Sequence, residues 1–445
     1  MTQLHKTAAR VALAGLALVC GQAFAAIPIQ KWVQPSGAAV YLVESQTLPM
    51  VDVRLEFDAG GRRDPADKAG RASMTAAMTS KGVEARDARP ALDENQLSEA
   101  WADLGASFGG SATADRMNFT MRSLTYPDVL PKAIDLAARQ LGEPAFPDAV
   151  WQRDRQRMAA SIREANTKPA TLANRAFEQA VFGSHPYGYE TTEASIGRIT
   201  VQDMREAYKL VQPCRAKVTI VGAVSRAQAD AMVTSLLSRL PAAARCDALP
   251  DVPDVAALAA PVVTAIPFAS AQAHVLIGQP GYKRNDPDHF ALMVGNYILG
   301  GGGLVSRLSD EVREKRGLSY SVYSYFAPGM HAGAFTIGLQ TRPDQAAQAV
   351  KIARETMAAF VASGPTEAEL KAAKDYLVGG FPLLIDSNRK LLDNVANIAW
   401  YDLPLDYLDT WTARVQRLTT SDIKAAMARK LQPGRMVIVT VGAGA

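Results

Sequence analysis

Residue types able to do chemistry are few in this chain, and their spacing limits what they can do. Five histidines stand at positions 5, 185, 274, 289 and 331. No two lie three or four apart, so no helix can present a pair of imidazoles to a metal. Ser73 has no histidine near it in sequence to act as its base. The run Gly300–Gly303 lacks the glycine-lysine-serine/threonine ending of a phosphate loop, which argues against nucleotide binding. Among the arginines and tyrosines are Arg313 and Tyr320, seven residues apart, a pair that spacing alone does not single out. Arginine is always charged and offers a rigid fork of donors, which suits a peptide carbonyl or a carboxylate. A tyrosine hydroxyl can donate to an oxyanion as a tetrahedral intermediate forms. Neither makes a nucleophile at neutral pH, so such a pair can assist a reaction but cannot start one. Taken alone, each has an ordinary reading: a solvated charge on a helix and a packed ring at a strand start.

The local sequence suggests how the two would be held. Glu311–Lys315 reads as a helix end, Gly317 as its stop and Leu318–Tyr325 as a strand. Tyr323 and Tyr325 alternate with Val322 and Ser324, and are expected to share one sheet face with Tyr320. Arg307 and Arg316 read as surface charges.

An internal repeat organises the rest. Val211-Gln212-Pro213-Cys214-Arg215 leads into Lys217-Val218-Thr219-Ile220-Val221-Gly222-Ala223. Leu431-Gln432-Pro433-Gly434-Arg435 leads into Val437-Ile438-Val439-Thr440-Val441-Gly442-Ala443. Each is a proline-marked turn, then a β-branched strand stopped by glycine. A helix precedes each copy, opening at Thr200 and at Thr419, where threonine can accept free N–H groups. The copies mark the ends of two equivalent domains, 26–240 and 263–445, joined by an Ala/Pro/Asp-rich linker over 241–262. Ala39–Val43 and the strictly alternating Val51–Phe57 read as strands. Trp151–Asn166 and Thr366–Gly379 read as helices. Strands near both ends of each domain with helices between them give an α+β class.

The chain has 445 residues, enough for two domains. Its first 25 residues carry Lys6 and Arg10, an apolar run Val11–Val19 and then Ala23-Phe24-Ala25. That is the pattern of a secretory signal peptide cleaved after Ala25, with Cys20 in the discarded part. Export predicts a periplasmic protein. Losing those two single charges takes the formal charge from +4 to +2, which gives no case for nucleic acid or acidic membranes. No later segment is apolar for 18 residues, so no membrane span is expected. Cys214 and Cys246 remain, and either a disulfide or two buried thiols suits them.

The segment from Asp58 to Met78, with Gly60-Gly61-Arg62-Arg63-Asp64-Pro65 and Gly70-Arg71-Ala72-Ser73-Met74-Thr75-Ala76-Ala77, resembles the pitrilysin/insulinase family of zinc peptidases, the inverzincins. In that family the helix after the glycine carries H-x-x-E-H, two zinc-binding histidines and the glutamate that activates water. Here those positions hold Ser73, Ala76 and Ala77. The family's third ligand, a glutamate on a later helix, falls at Ala160 or Ser161, with Glu164 displaced from it. His185-Pro186-Tyr187-Gly188 matches a turn of the family, and His185 is expected to hold that loop. The block from Tyr297 to Tyr323 is similar to the family's C-terminal signature, whose arginine and tyrosine reach into the active site; the matching residues are Arg313 and Tyr320.

The resemblance implies two related domains, each a mainly antiparallel sheet packed with helices, facing each other across a chamber. It also implies a heterodimer. In it this chain binds no cofactor, and a paralogous H-x-x-E-H subunit supplies zinc and the general base. Arg313 and Tyr320 would grip a peptide substrate and stabilise the oxyanion. A second reading is a peptide-binding or structural protein of the same fold with no peptidase partner. An independent enzyme would need a nucleophile that the sequence does not offer.

Overall fold

A computed structural model describes residues 27–241 and 246–443. The signal peptide and its cleavage after Ala25 lie outside the described residues.

Thirteen strands are described. They are β1 (Gln30–Val33), β2 (Ala39–Glu44), β3 (Met50–Phe57), β4 (Gly82–Val83), β5 (Leu92–Asp93), β6 (Ser107–Ala112), β7 (Met117–Leu124), β8 (Lys217–Gly222), β9 (Val262–Ile266), β10 (Ala273–Pro280), β11 (Val322–Phe326), β12 (Ala334–Thr341) and β13 (Val437–Val441). Helices of the first half are α1 (Arg71–Met78), α2 (Glu94–Asp103), α3 (Leu130–Gly142), α4 (Asp148–Ala165), α5 (Pro169–Phe182), α6 (Glu193–Arg198), α7 (Val201–Tyr208) and α8 (Arg226–Leu237). The second half adds α9 (His289–Asn296), α10 (Ala346–Ser363), α11 (Glu367–Gly380), α12 (Asn388–Trp400), α13 (Tyr407–Arg417) and α14 (Thr420–Lys430).

Sheet one has the order β1-β2-β8-β3-β7-β6, and sheet two the order β11-β12-β10-β13-β9. The repeat has a direct topological meaning. β8 lies between a parallel neighbour, β2, and an antiparallel one, β3. β13 lies in the same way between β9 and β10. Thr200 and Thr419 each accept the N–H three residues on, and Asp203 and Asp422 return the bond, so α7 and α14 open with the same capping box. β9 begins at Val262, one residue inside the stretch read as linker.

The two halves exchange helices. α5, from the first half, packs on β10 and β13 of sheet two. Its Ala173, Phe177 and Val181 join Leu276, Val437, Val439 and Val441 in one buried cluster. α12, from the second half, packs on β3 and β8 of sheet one. This explains the alternation in β3. Val51, Val53, Leu55 and Phe57 face a core shared with α3 and α8. Asp52, Arg54 and Glu56 point the other way, yet Asp52 and Glu56 are buried, because α12 covers that face. Charged groups gather at the junction. Arg54 pairs with Asp393 at 2.5 Å, and Arg116 reaches Glu56 at 2.7 Å and Asn397 at 2.8 Å. Lys217 donates to the last carbonyls of α12 at Ala399 and Trp400.

Burial raises the Glu56 carboxyl to about 7, against the opposing pull of Arg116, Arg54 and Lys217. Folded Glu56 thus holds its proton more tightly than the unfolded chain does. Its contribution to stability is present below about pH 4.5 and is lost as pH rises through about 7, a total of about 3 kcal/mol. Urea unfolding at pH 5 and pH 8 is expected to show a gap opening with pH, wild type falling below Glu56→Gln at the higher pH. A gap that does not change with pH would overturn it.

The two cysteines are joined: Cys214 and Cys246 form a disulfide with Cα atoms 5.8 Å apart. Beyond Cys246 the connecting segment is held by Arg215, which donates to Asp247 O at 2.7 Å, and by Arg63, which donates to Pro250 O at 3.0 Å.

Candidate functional site

The structure brings Arg313 and Tyr320 together. The guanidinium carbon of Arg313 stands 4.9 Å from the centroid of the Tyr320 ring. Ser309–Glu314 is a widened, π-type turn. Gly317, at φ +60°, closes it, donating to Arg313 O at 2.8 Å while Leu318 donates to Val312 O at 2.9 Å. A side chain at 317 would be strained there, which is why glycine serves as the stop. The chain then turns inward. Leu318 and Ser319 are buried, and the Ser319 hydroxyl donates to Gln340 O at 2.6 Å. With its neighbours anchored, Tyr320 is pushed out and is 82% exposed.

Two expectations about this block need correction. The strand starts at Val322, not Leu318, because Ser319 bonds the backbone of Gln340 and Ser321 and holds 318–321 out of regular pairing. Tyr320 therefore does not share a sheet face with Tyr323 and Tyr325. Those two are two residues apart and stack on each other at 6.0 Å, whereas Tyr320 precedes the strand and differs from them in parity.

Within the glycine run, Gly300 serves packing. A Cβ on Gly300 would lie 2.4 Å from the Ser324 hydroxyl, so only glycine lets this segment touch β11. β11 is an edge strand of sheet two. Arg307 pairs with Glu369 at 2.6 Å, and Arg316 with Glu311 at 2.5 Å.

The positions at which the resemblance expects a metal site are also described. Ser73 and Ala77 lie on the exposed side of α1, and Ala76 is fully buried in the core beneath it. Ala160 and Ser161 are exposed on α4, and Glu164 is engaged with Lys168 at 2.9 Å. Hydroxyls and methyls at these positions do not fit zinc, which takes imidazole, thiolate or carboxylate. Among the described residues no group of three His, Cys, Asp or Glu could hold a metal. α1 itself is firmly placed. Asp64 accepts from Gly70 N at 3.1 Å and Ala72 N at 3.0 Å, and burial raises its carboxyl to about 6. His185 Nδ1 accepts from Tyr187 N at 3.1 Å, the loop-holding contact expected of it. Sequence reasoning missed Asp64, Asp115 and Glu56. The capping role of Asp64 could have been suspected from its place just before a glycine-led helix; the other two depend on partners far along the chain.

Two family descriptions match this chain: "Insulinase (Peptidase family M16)" over residues 39–195 and "Peptidase M16 inactive domain" over 198–377. A solved structure described as the peptidase M16 inactive domain from Pseudomonas fluorescens is 34% identical, with a TM-score of 0.88, over 94% of this chain and 98% of that one. The chain belongs to the insulinase family, peptidase family M16. Other M16 relatives differ in name. A "non-peptidase homolog" of Helicobacter pylori is 26% identical over 85% of this chain and 86% of its own length. An "uncharacterized zinc protease" of Streptomyces coelicolor is 28% identical over 70% and 69%. Within this M16 chain the peptidase match covers Ser73, Ala76, Ala77 and Ser161, and the inactive-domain match covers Arg313 and Tyr320.

Proposed function

We propose that this chain is the non-catalytic subunit of a heterodimeric zinc metallopeptidase acting on peptides. The observation that carries the reading is the exposed Tyr320 hydroxyl beside Arg313, in a chain whose metal-site positions hold no ligand. A group that donates to a developing oxyanion needs a nucleophile generated elsewhere. A paralogous subunit bearing H-x-x-E-H would supply zinc and the base. Arg313 would hold a substrate carbonyl, and Tyr320 would stabilise the oxyanion. An extended peptide can add to a free sheet edge such as β11. The signal-peptide pattern supports a periplasmic location for this activity. The domains are 26–240 and 263–445, apart from the exchanged helices.

Co-expression with an exported H-x-x-E-H paralogue should yield a complex that cleaves unfolded peptides with zinc. Tyr320→Phe should lower kcat about 100- to 1,000-fold with the complex intact, the loss of one oxyanion donor. Equal turnover by Tyr320→Phe would remove the assisting role. Failure to form a complex would favour a peptide-binding protein without a peptidase partner. Zinc-dependent cleavage by this chain alone would overturn both.

A further inference from the structure

Where the two halves meet lies a cavity of about 360 Å³ that the proposed reaction does not use. Its walls come from the β6–β7 turn, α5, the turn at Pro186–Gly188, β11 and the β11–β12 hairpin. Five rings line it: Phe177, Phe182, Tyr187, Tyr325 and Tyr401. Three charged residues line it as well, and two are already engaged. Asp115 accepts from Tyr187 Oη, from Arg62 and from Met330 N at 2.9 Å. Arg116 is held by Glu56 and Asn397, with its guanidinium 5.4 Å from the Trp400 ring.

The third, Glu178, stands at the mouth. Among the described residues it pairs with no cation. Its charged neighbour is another carboxylate, Glu190, which is taken by Arg175. Partial burial and Glu190 together raise the Glu178 carboxyl above the usual range. Deeper in, Thr336 is 2% exposed and its hydroxyl has no hydrogen-bond partner in the protein. Thr336 lies opposite Tyr325 in the ladder, hence on the same face.

Ring faces are electronegative and attract ammonium and guanidinium groups. Glu178 supplies an acidic group, and Arg116, the cation on the walls, is already engaged by Glu56 and Asn397. An apolar side chain would leave the buried Thr336 hydroxyl without a partner, which costs binding. The cavity also has a defined place along β11. Tyr320 precedes that strand, and Tyr325 lies near its far end. The five residues between them span at most about 16 Å, and less because 318–321 leave regular pairing.

We propose that this cavity is a subsite for a lysine or arginine side chain of an extended peptide, about five residues from the bond gripped by Arg313 and Tyr320. The proposal rests on the peptide-binding reading above and adds the class of side chain selected.

The test uses the mature chain alone and two capped ten-residue peptides, otherwise uncharged, that carry either one lysine or isosteric norleucine. Fluorescence anisotropy at low salt should show the lysine peptide binding at least tenfold tighter. Glu178→Gln should abolish that preference, and Tyr325→Ala and Thr336→Val should each reduce it. All three lie on the cavity wall and outside the Arg313/Tyr320 pair. Equal affinity of the two peptides for wild type, or a preference that survives Glu178→Gln, overturns the subsite and leaves the peptide reading standing. If neither peptide binds, the peptide reading falls. In that case N-acetyl-lysine-methylamide against its norleucine analogue decides the cavity: a preference lost in Glu178→Gln upholds cation binding, and no preference overturns it.

Discussion

Phe177→Ala is expected to destabilise the protein by about 3–5 kcal/mol, and to loosen a sheet built from the other half of the chain. Phe177 is 3% exposed and packs with Leu276, Val437 and Val439. Its ring occupies room left by Gly278, where a Cβ would lie 2.7 Å from Phe177 Cζ and 1.9 Å from Phe335 O. Truncation leaves a hole at the centre of the exchanged contact, lined by residues that cannot collapse into it because β-sheet backbone forms one wall. Hydrogen exchange should speed up in β10 and β13 as well as in α5. Faster exchange confined to residues 27–241 would show that the halves are not coupled through this helix.

Replacing both Cys214 and Cys246 by serine is expected to cost about 3–4 kcal/mol under oxidising conditions. The bond closes a separation of 32 residues, and the freedom it removes from the unfolded chain gives that figure. It also fixes one end of the segment between the halves, which Arg215 and Arg63 hold a few residues further on. Urea unfolding should show wild type with reductant matching the double serine variant, and wild type without reductant well above both. Equal midpoints for all three would show that the cross-link does not constrain the unfolded chain.

Much of the site was legible because its signals are local. The helix stop at Gly317, the strands Ala39–Val43 and Val51–Phe57 and the threonine caps all depend on neighbours within a few residues. The Arg313/Tyr320 contact was legible only through family resemblance, since nothing in the spacing distinguishes it from a surface charge and a packed ring. What misled the reading of Leu318–Ser321 was a long-range bond. Ser319 reaches Gln340, and that partner is invisible to periodicity. The exchange of α5 and α12 left a trace that can be read in hindsight. Asp52 and Glu56 alternate like a solvated face, but the face is covered and its charges are met by Arg122 and Arg116. The cysteines could not be joined from sequence because their pairing depends on the path of the connecting segment.

The exchanged helices also set a timetable for synthesis. β8 is the last strand of sheet one to be made, yet the helix that covers Glu56 and Asp52 begins only at Asn388. About 165 residues separate the two, so the charged face of the first sheet can be covered only after that stretch has emerged. Until β10 and β13 are made, α5 has no strands of sheet two to pack on. A nascent chain of this design cannot finish its first half early, and stays open to chaperones until its second half is nearly complete.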